Sequence, residues 1–433
     1  MRFRASDVAT ATGGRLHGPD VEIDGVAFDS RVVQPGQLFV PLIAERDGHD
    51  FVGAAIAAGA AAYLTSRPPV GGTAIAVNDT LQALMALATA QRPTFTGPVV
   101  GITGSVGKTS TKDMLRAALA PSRVVWANER SFNNEQGLPT TLLNTPDGTE
   151  VMVLEMGMRG LGQIAELCRI AQPTVGVVTR VAEAHSDRVG GIEGVARAKG
   201  ELVEALPTHG VAVLNADDHR VAAMAVRTAA SVLTVGHTAT ADVRIGAITT
   251  DHHARARFRL ESPWGSFEVA LGVSGRHMAS NAAAALGAVG ALGGDVGAGV
   301  SALAEVGLTA MRMEIVHLPS GAVILNDSYN ANPTSMRAAL DALVDLPGHR
   351  KVAVLGVMAE ISDPEAEHRA IVEYAHGHGI EVLAVGTDLY GLPQCADPVA
   401  ALGSLAGGEA LLVKGSRVAG LERIVALLVG QGA

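Results

Sequence analysis

A chain of 433 residues, 48% of them apolar, carries enough hydrophobic material for two to four buried cores, yet its richest run, AAAALGAVGALGG from Ala282, is too short and glycine-broken to span a membrane. A net charge of −10, with only 3% aromatics, argues against the basic, stacking face that nucleic acid requires. Two cysteines, Cys168 and Cys395, rule against a disulfide framework, and the opening MRFRASDVATATGG lacks a signal-peptide core, so a reduced cytoplasmic protein is expected.

In chain order, residues 1 to about 93 alternate short apolar runs with helical ones (GQLFVPLI, FVGAAIAAGAAAYLT, GTAIAVND, LQALMALATAQ) and predict a small α/β domain. RPTFTGP, at 92 to 98, reads as a linker because two prolines and a glycine break any regular element. From Val99 the rhythm is strand then helix. PVVGIT, VMVLEMG, PTVGVVTRV and GVAVLNADD are the strands, and the intervening stretches are helical. That alternation predicts a parallel sheet covered by helices over 94–309. RARFRLESPWGSFEVALGV alternates at period two and predicts an antiparallel hairpin at the sheet edge, followed by an Ala-rich helix from about Ser280. After GLTAMRME a third domain begins, 310–433, where AVILNDSYN, KVAVLGVM, IEVLAVGTD and EALLVKGS each precede a helical stretch in the Rossmann manner. The predicted class is α/β with three domains.

The stretch GITGSVGKTSTKDM, from Gly101, carries the first chemistry. A phosphate loop needs glycines that let the backbone wrap an anion, a helix start that aims N–H groups at it, and a lysine for the terminal phosphates. Gly104, Gly107 and Lys108 meet these needs after the strand VVGI, and Thr109 adds the hydroxyl that Mg²⁺ favours. The spacing departs from the usual Gly-x4-Gly-Lys-Ser/Thr pattern, since Ile102 stands where the first glycine belongs. Glu155 ends the run VMVL and so places a carboxylate at a strand tip. His185 and Lys199 read on their own as solvated groups.

TGSVGKT resembles the loop of the ATP-dependent Mur ligases and their folylpolyglutamate synthetase relatives, and the likeness continues along the chain. FDSRVVQPGQLFV, RDGHDF, SFNNEQGLP, LEMGM, EAHSDRVGGIEGVARAKGEL, LNADD, GRHMASNAAAA, MRMEI and DSYNANPTSM follow in the family order. The resemblance implies three domains: UDP-substrate binding (1–93), ATP binding and ligation (94–309) and a Rossmann-like third (310–433). It implies ATP and Mg²⁺ as cofactors. YNANP with NNEQGLP points within the family to addition of the terminal dipeptide, so the expected substrates are a UDP-N-acetylmuramoyl-tripeptide and D-alanyl-D-alanine, handled by a monomer.

Residue by residue, the resemblance places Gly104, Ser105, Gly107, Lys108, Thr109, Ser110, Asn281, Arg312 and Asp327 around ATP. Thr109 and Glu155 would hold one Mg²⁺, with His185 and a carbamylated Lys199 serving a second; Lys108, His185, Lys199 and Arg312 are the expected catalytic set. Ser30, Arg31, Asp47, Gly48 and His49 would face uridine diphosphate, Asn133 and Asn134 the substrate or acyl phosphate, and Tyr329, Asn330 and Asn332 the dipeptide. Lys414, Ser416 and Arg417 sit at a further strand end. Two departures are Val357, where the family has Asp, and Pro41, where Ala is common.

The chemistry suits these residue types. Hydroxide is a poor leaving group, so a carboxylate must become an acyl phosphate before an amine can displace it, and the demand is for cations rather than a nucleophile. A GTPase reading of DRVG (187–190) and NADD (215–218) is weaker, because DRVG does not directly end a strand and NADD lacks the lysine that packs on guanine.

Overall fold

The computed structural model describes residues 1–129, 132–183 and 189–431. It is α/β with mainly parallel sheets, as the alternation predicted, and its chain forms two compact units. One comprises 1–101, 123–158 and 162–174; the other comprises 102–122, 159–161 and 175–433.

The first unit opens with a five-stranded sheet in the order Arg15–His17, Ala74–Ala76, Ala62–Thr65, Leu38–Phe39, Val26–Ala27. Only the first pairing is antiparallel. Every residue of Ala62–Thr65 is buried, which explains a run with no polar alternation. Phe39, Tyr63, Val33 and Val52 fill one core beneath it. The helix Thr80–Gln91 starts at Asp79, whose carboxylate accepts from the Leu81 and Gln82 N–H groups.

The segment expected to be a linker is pinned. Arg92 is buried, and its guanidinium donates to the carbonyls of Ala171 (2.5 Å), Phe95 (2.6 Å) and Gln172 (3.4 Å). Two of those carbonyls close the helix Gln163–Ala171, where a cation meets the negative end of the helix dipole. Proline and glycine content signalled a break correctly but could not reveal a buried cation. Further along this unit, Val151–Glu155 runs parallel to Val125–Ala127 and is wholly buried.

In the second unit, Val175–Val178, Val211–Asn215, Ser231–Gly236 and Val243–Ile245 form a parallel series. The predicted hairpin, Arg255–Ser262 with Gly265–Ser274, adds antiparallel strands at its edge. Met278–Ala291 is the predicted Ala-rich helix, and its small residues let it lie close on the sheet, with Gly287 facing Leu233, Val235 and Val213. The same helix packs against Lys108–Leu119. The chain ends in a five-stranded sheet ordered Glu314–His317, Val323–Asp327, Glu409–Lys414, Arg350–Leu355, Glu381–Ala384, parallel except at its first pair.

His368, on the helix Pro364–Gly377, is fully buried within this last sheet's layer of helices. Its Nε2 accepts from the Met358 N–H (2.9 Å), so Nδ1–H donates to the Pro364 carbonyl. Burial pushes its pKa below the ordinary 6.5. An imidazole with a depressed folded pKa binds fewer protons than the unfolded chain, so stability falls as pH drops below about 6.5. Melting followed by circular dichroism between pH 7 and pH 5 should therefore fall more steeply for the wild type than for His368→Gln. Arg92→Met, which strands buried carbonyls, should cost about 2 kcal/mol in denaturant titration.

Candidate active site

The phosphate loop lies between the strand Val99–Thr103 and the helix Lys108–Leu119. It is stitched to the chain that follows Val175–Val178. The Ser105 N–H donates to Arg180 O (2.7 Å), and the Ser105 hydroxyl donates to Ala182 O (2.7 Å) while accepting from Ala182 N (2.9 Å). Thr179 closes the other side, its hydroxyl donating to Val106 O at 2.6 Å. Gly104 (φ 152°) presses on that hydroxyl, and a Cβ there would collide with Thr179 Oγ1. Gly107 (φ 84°) occupies the left-handed region that glycine tolerates, and a Cβ there would collide with Asn281 Oδ1. Gly107 is also the N-cap of Lys108–Leu119, and no side-chain oxygen caps that helix start, an arrangement suited to an anion. Thr109 and Ser110, the next residues, are buried, and Lys108 Nζ folds back to donate to Gly104 O at 2.8 Å. Asn281 reaches the loop from the buried helix Met278–Ala291, so the structure brings it beside Gly107. Lys199 is buried on the helix Gly191–Glu204. His185 lies outside the described residues.

Arg312 and Asp327 belong to the same unit. The Arg312 guanidinium stacks at 4.2 Å over the Tyr329 ring, and its buried Nε has no hydrogen-bond partner among the described residues. Asp327, at the end of Val323–Asp327, accepts from Met313 N (3.1 Å) and pairs with Lys414. Lys414 is buried and donates also to Asn330 O (2.9 Å). Two nearby amide oxygens accept locally. Asn330 Oδ1 accepts from Ala331 N (2.9 Å), and Asn332 caps the helix Pro333–Asp345 by accepting from Ser335 N (2.9 Å). His277 stands near Asp327 and Lys414; burial pushes it down to about 4 against the pull of Asp327, leaving it neutral near pH 7.

In the first unit, Glu155 is buried at its strand tip and accepts from Asn133 Nδ2 (2.6 Å), while its N–H donates to Asn128 Oδ1 (2.9 Å). Asn134 turns to the start of Gly137–Leu143, accepting from Gly137 N (3.0 Å). Ser30 is half-buried, and Arg31 is exposed and paired with Asp29 at 2.7 Å. Asp47, Gly48 and His49 form a latch. The Asp47 carboxylate accepts from His49 N (2.9 Å) and from His49 Nδ1 (2.6 Å), and the first of these bonds chiefly holds its pKa below the usual carboxylate range. His49 Nε2 accepts from Ser66 N (3.0 Å), and Gly48 lies so near Leu42 that a Cβ would come within 2.6 Å of its nitrogen. Both ring nitrogens of His49 thus have partners within this unit, one on Asp47 and one on Ser66.

Sequence reasoning missed Thr179, His277 and the pairing of Lys414 with Asp327. Thr179 follows an apolar strand with no motif around it, and a long-range ion pair leaves no local pattern. The position of Lys414 at a strand's C-terminal end was the one available signal.

Three family profiles match in order. "Mur ligase family, catalytic domain" covers residues 22–91, "Mur ligase middle domain" 102–289, and "Mur ligase, glutamate ligase domain" 311–430. The UDP-N-acetylmuramoyl-tripeptide–D-alanyl-D-alanine ligase of Mycobacterium tuberculosis is 40% identical over 93% of this chain and 92% of its own. The crystal structure of MurF from Acinetobacter baumannii superposes with a TM-score of 0.87 at 29% identity, covering 99% of both chains. That of the MurF ligase from Thermotoga maritima in complex with ADP gives 0.83 at 29% identity, covering 94% of this chain and 97% of that one. With its phosphate loop, its strand-end glutamate and this likeness along nearly its whole length, the chain belongs to the Mur ligase family.

Proposed function

We propose that this chain joins D-alanyl-D-alanine to a UDP-N-acetylmuramoyl-tripeptide at the expense of ATP, giving the pentapeptide precursor of peptidoglycan. The observation that carries this reading is the loop from Gly104 to Thr109, stitched at Ser105 and Thr179, in a chain matched over 93% of its length by a relative with that ligase name. A carboxylate oxygen of the tripeptide attacks the γ-phosphorus of ATP, ADP leaves, and an acyl phosphate forms. The dipeptide amine then adds to the acyl carbon, and the tetrahedral intermediate expels phosphate as the nitrogen loses its proton.

The residues divide this work by charge. The loop N–H groups and Lys108 hold the ATP phosphates, with Lys108 exchanging Gly104 O for a phosphate oxygen. Arg312 supplies a planar fork whose buried Nε has no partner among the described residues, suited to bidentate contact with phosphate oxygens. Asn281 lies against the loop at Gly107. Mg²⁺ fits the donor chemistry, since the Thr109 hydroxyl and the Glu155 carboxylate are hard oxygens. The ion would neutralise phosphate charge as the γ-phosphoryl group moves. Lys199 joins such a metal set only as its carbamate, an anion; His185 is assigned by resemblance alone. Ser30 and Arg31 are the groups offered to uridine diphosphate, with Asp47, Gly48 and His49 shaping the neighbouring loop. Tyr329, Asn330 and Asn332 shape the dipeptide's surroundings through the Arg312 stack and the helix cap.

Five-stranded sheets near each end of the chain support a division at 1–93, 94–309 and 310–433. No helix among the described residues is long and apolar enough to cross a membrane. We place the enzyme in the cytoplasm as a monomer, beside the nucleotide-linked substrates it would use.

Incubation of the chain with ATP, the UDP-linked tripeptide and D-alanyl-D-alanine should yield pentapeptide, ADP and phosphate in equal amounts, with GTP a poor substitute. Absence of pentapeptide would overturn the reading. Lys108→Ala should fold normally and lose turnover by at least a hundredfold. Lys199→Ala should be nearly inactive and Lys199→Arg no better, because arginine cannot form a carbamate; an active Lys199→Arg removes carbamylation from the mechanism.

A further inference from the structure

The segment Thr309–Met313 carries Arg312 through an unusual backbone. Met311 (φ 63°) and Met313 (φ 50°) both adopt left-handed conformations that non-glycine residues avoid, at a cost of about 1 kcal/mol each. Such a pair flanking one arginine persists only where surrounding bonds over-determine it. From the final sheet, Asp327 Oδ1 accepts from Met313 N (3.1 Å), Glu314 Oε2 accepts from Met311 N (3.1 Å), and Tyr329 N donates to Met311 O (3.2 Å).

The other end of the segment is tied to the phosphate-loop helix. Asp113 lies on Lys108–Leu119 one turn beyond Thr109 and therefore on the same face. It is buried, and its Oδ2 accepts from both the backbone N–H and the hydroxyl of Thr309, each at 2.8 Å. Its Oδ1 lies 3.2 Å from Lys112 Nζ, so the carboxylate is oriented by a buried cation. Two residues separate Thr309 from Arg312. The helix that begins at Lys108 and Thr109 thus fixes where the arginine's backbone starts, and the final sheet fixes where it ends.

We infer that Asp113 and Thr309 are positioning residues that couple the phosphate-loop helix to Arg312. This rests on the ligase reading above. Neither residue belongs to the set assigned to ATP; their bond sets the register of the strained segment, so the loop and the Arg312 fork address the same phosphate group together. A mispositioned arginine weakens transition-state contacts more than ground-state binding, so the effect belongs in kcat.

The test is steady-state ligation by the full chain, with circular dichroism melting as a check of folding. Thr309→Ala, which removes only the hydroxyl, should lower kcat about tenfold with little change in KM for the UDP-linked tripeptide, and Thr309→Ser should restore it. Asp113→Ala should lose at least as much; if it does not fold, Thr309→Ala carries the test. In an Arg312→Ala background, adding Thr309→Ala should cost less than twofold, because the group it positions is gone. A Thr309→Ala enzyme within twofold of wild type, or a tenfold loss that persists without Arg312, overturns the coupling while leaving the ligase standing. A wild type that forms no amide overturns the ligase reading instead.

Discussion

The constraint on which the second unit turns is the closeness of backbone to side chain at Gly104 and Gly107. Thr179 and Asn281 occupy the space a Cβ would need, so a larger residue at either point would force a neighbour to move. Each neighbour is itself held by a larger element: Thr179 follows a buried parallel strand, and Asn281 projects from a helix packed on the sheet. The anion-binding shape is therefore a consequence of core packing and not of the loop alone. That is the preorganisation a phosphoryl-transfer site needs, since its donors must not reorganise when charge shifts.

The same logic governs the buried charges. Asp327 with Lys414, and Asp113 with Lys112 and Thr309, are each costly to remove from water and are tolerated because every charged oxygen or ammonium meets a partner. Among the described residues, Arg312 breaks that pattern at Nε while resting on an aromatic face. An incompletely satisfied guanidinium in a strained segment is expensive, and the expense is accounted for if a phosphate completes it. In the first unit, Glu155 is also buried, at a strand tip, where Asn133 donates to it.

Much of this was legible in the sequence because periodicity and punctuation are local. The strand–helix alternation located the parallel sheets, the period-two run RARFRLES located the hairpin, and Gly-Lys-Thr after an apolar strand located the loop despite Ile102 at the usual glycine position. What sequence could not convey was long-range. Arg92 read as part of a linker because nothing near it names the helix end it caps 80 residues later. His49 Nε2 accepts from Ser66 N, 17 residues on, a neighbour that only folding brings in. Asp113 carried no motif of its own and acquires meaning only when Thr309, 196 residues away, folds against it.

The central claim is that the phosphate gathered by this loop activates a carboxylate rather than serving as a switch. Isotope transfer tests it most directly. With both carboxylate oxygens of the tripeptide terminus labelled with ¹⁸O, turnover in the presence of D-alanyl-D-alanine should release inorganic phosphate carrying one ¹⁸O, because the acyl phosphate passes a carboxylate oxygen to phosphorus. Phosphate released without label would contradict the account, since it would mean that ATP is cleaved by water and the carboxylate is never phosphorylated.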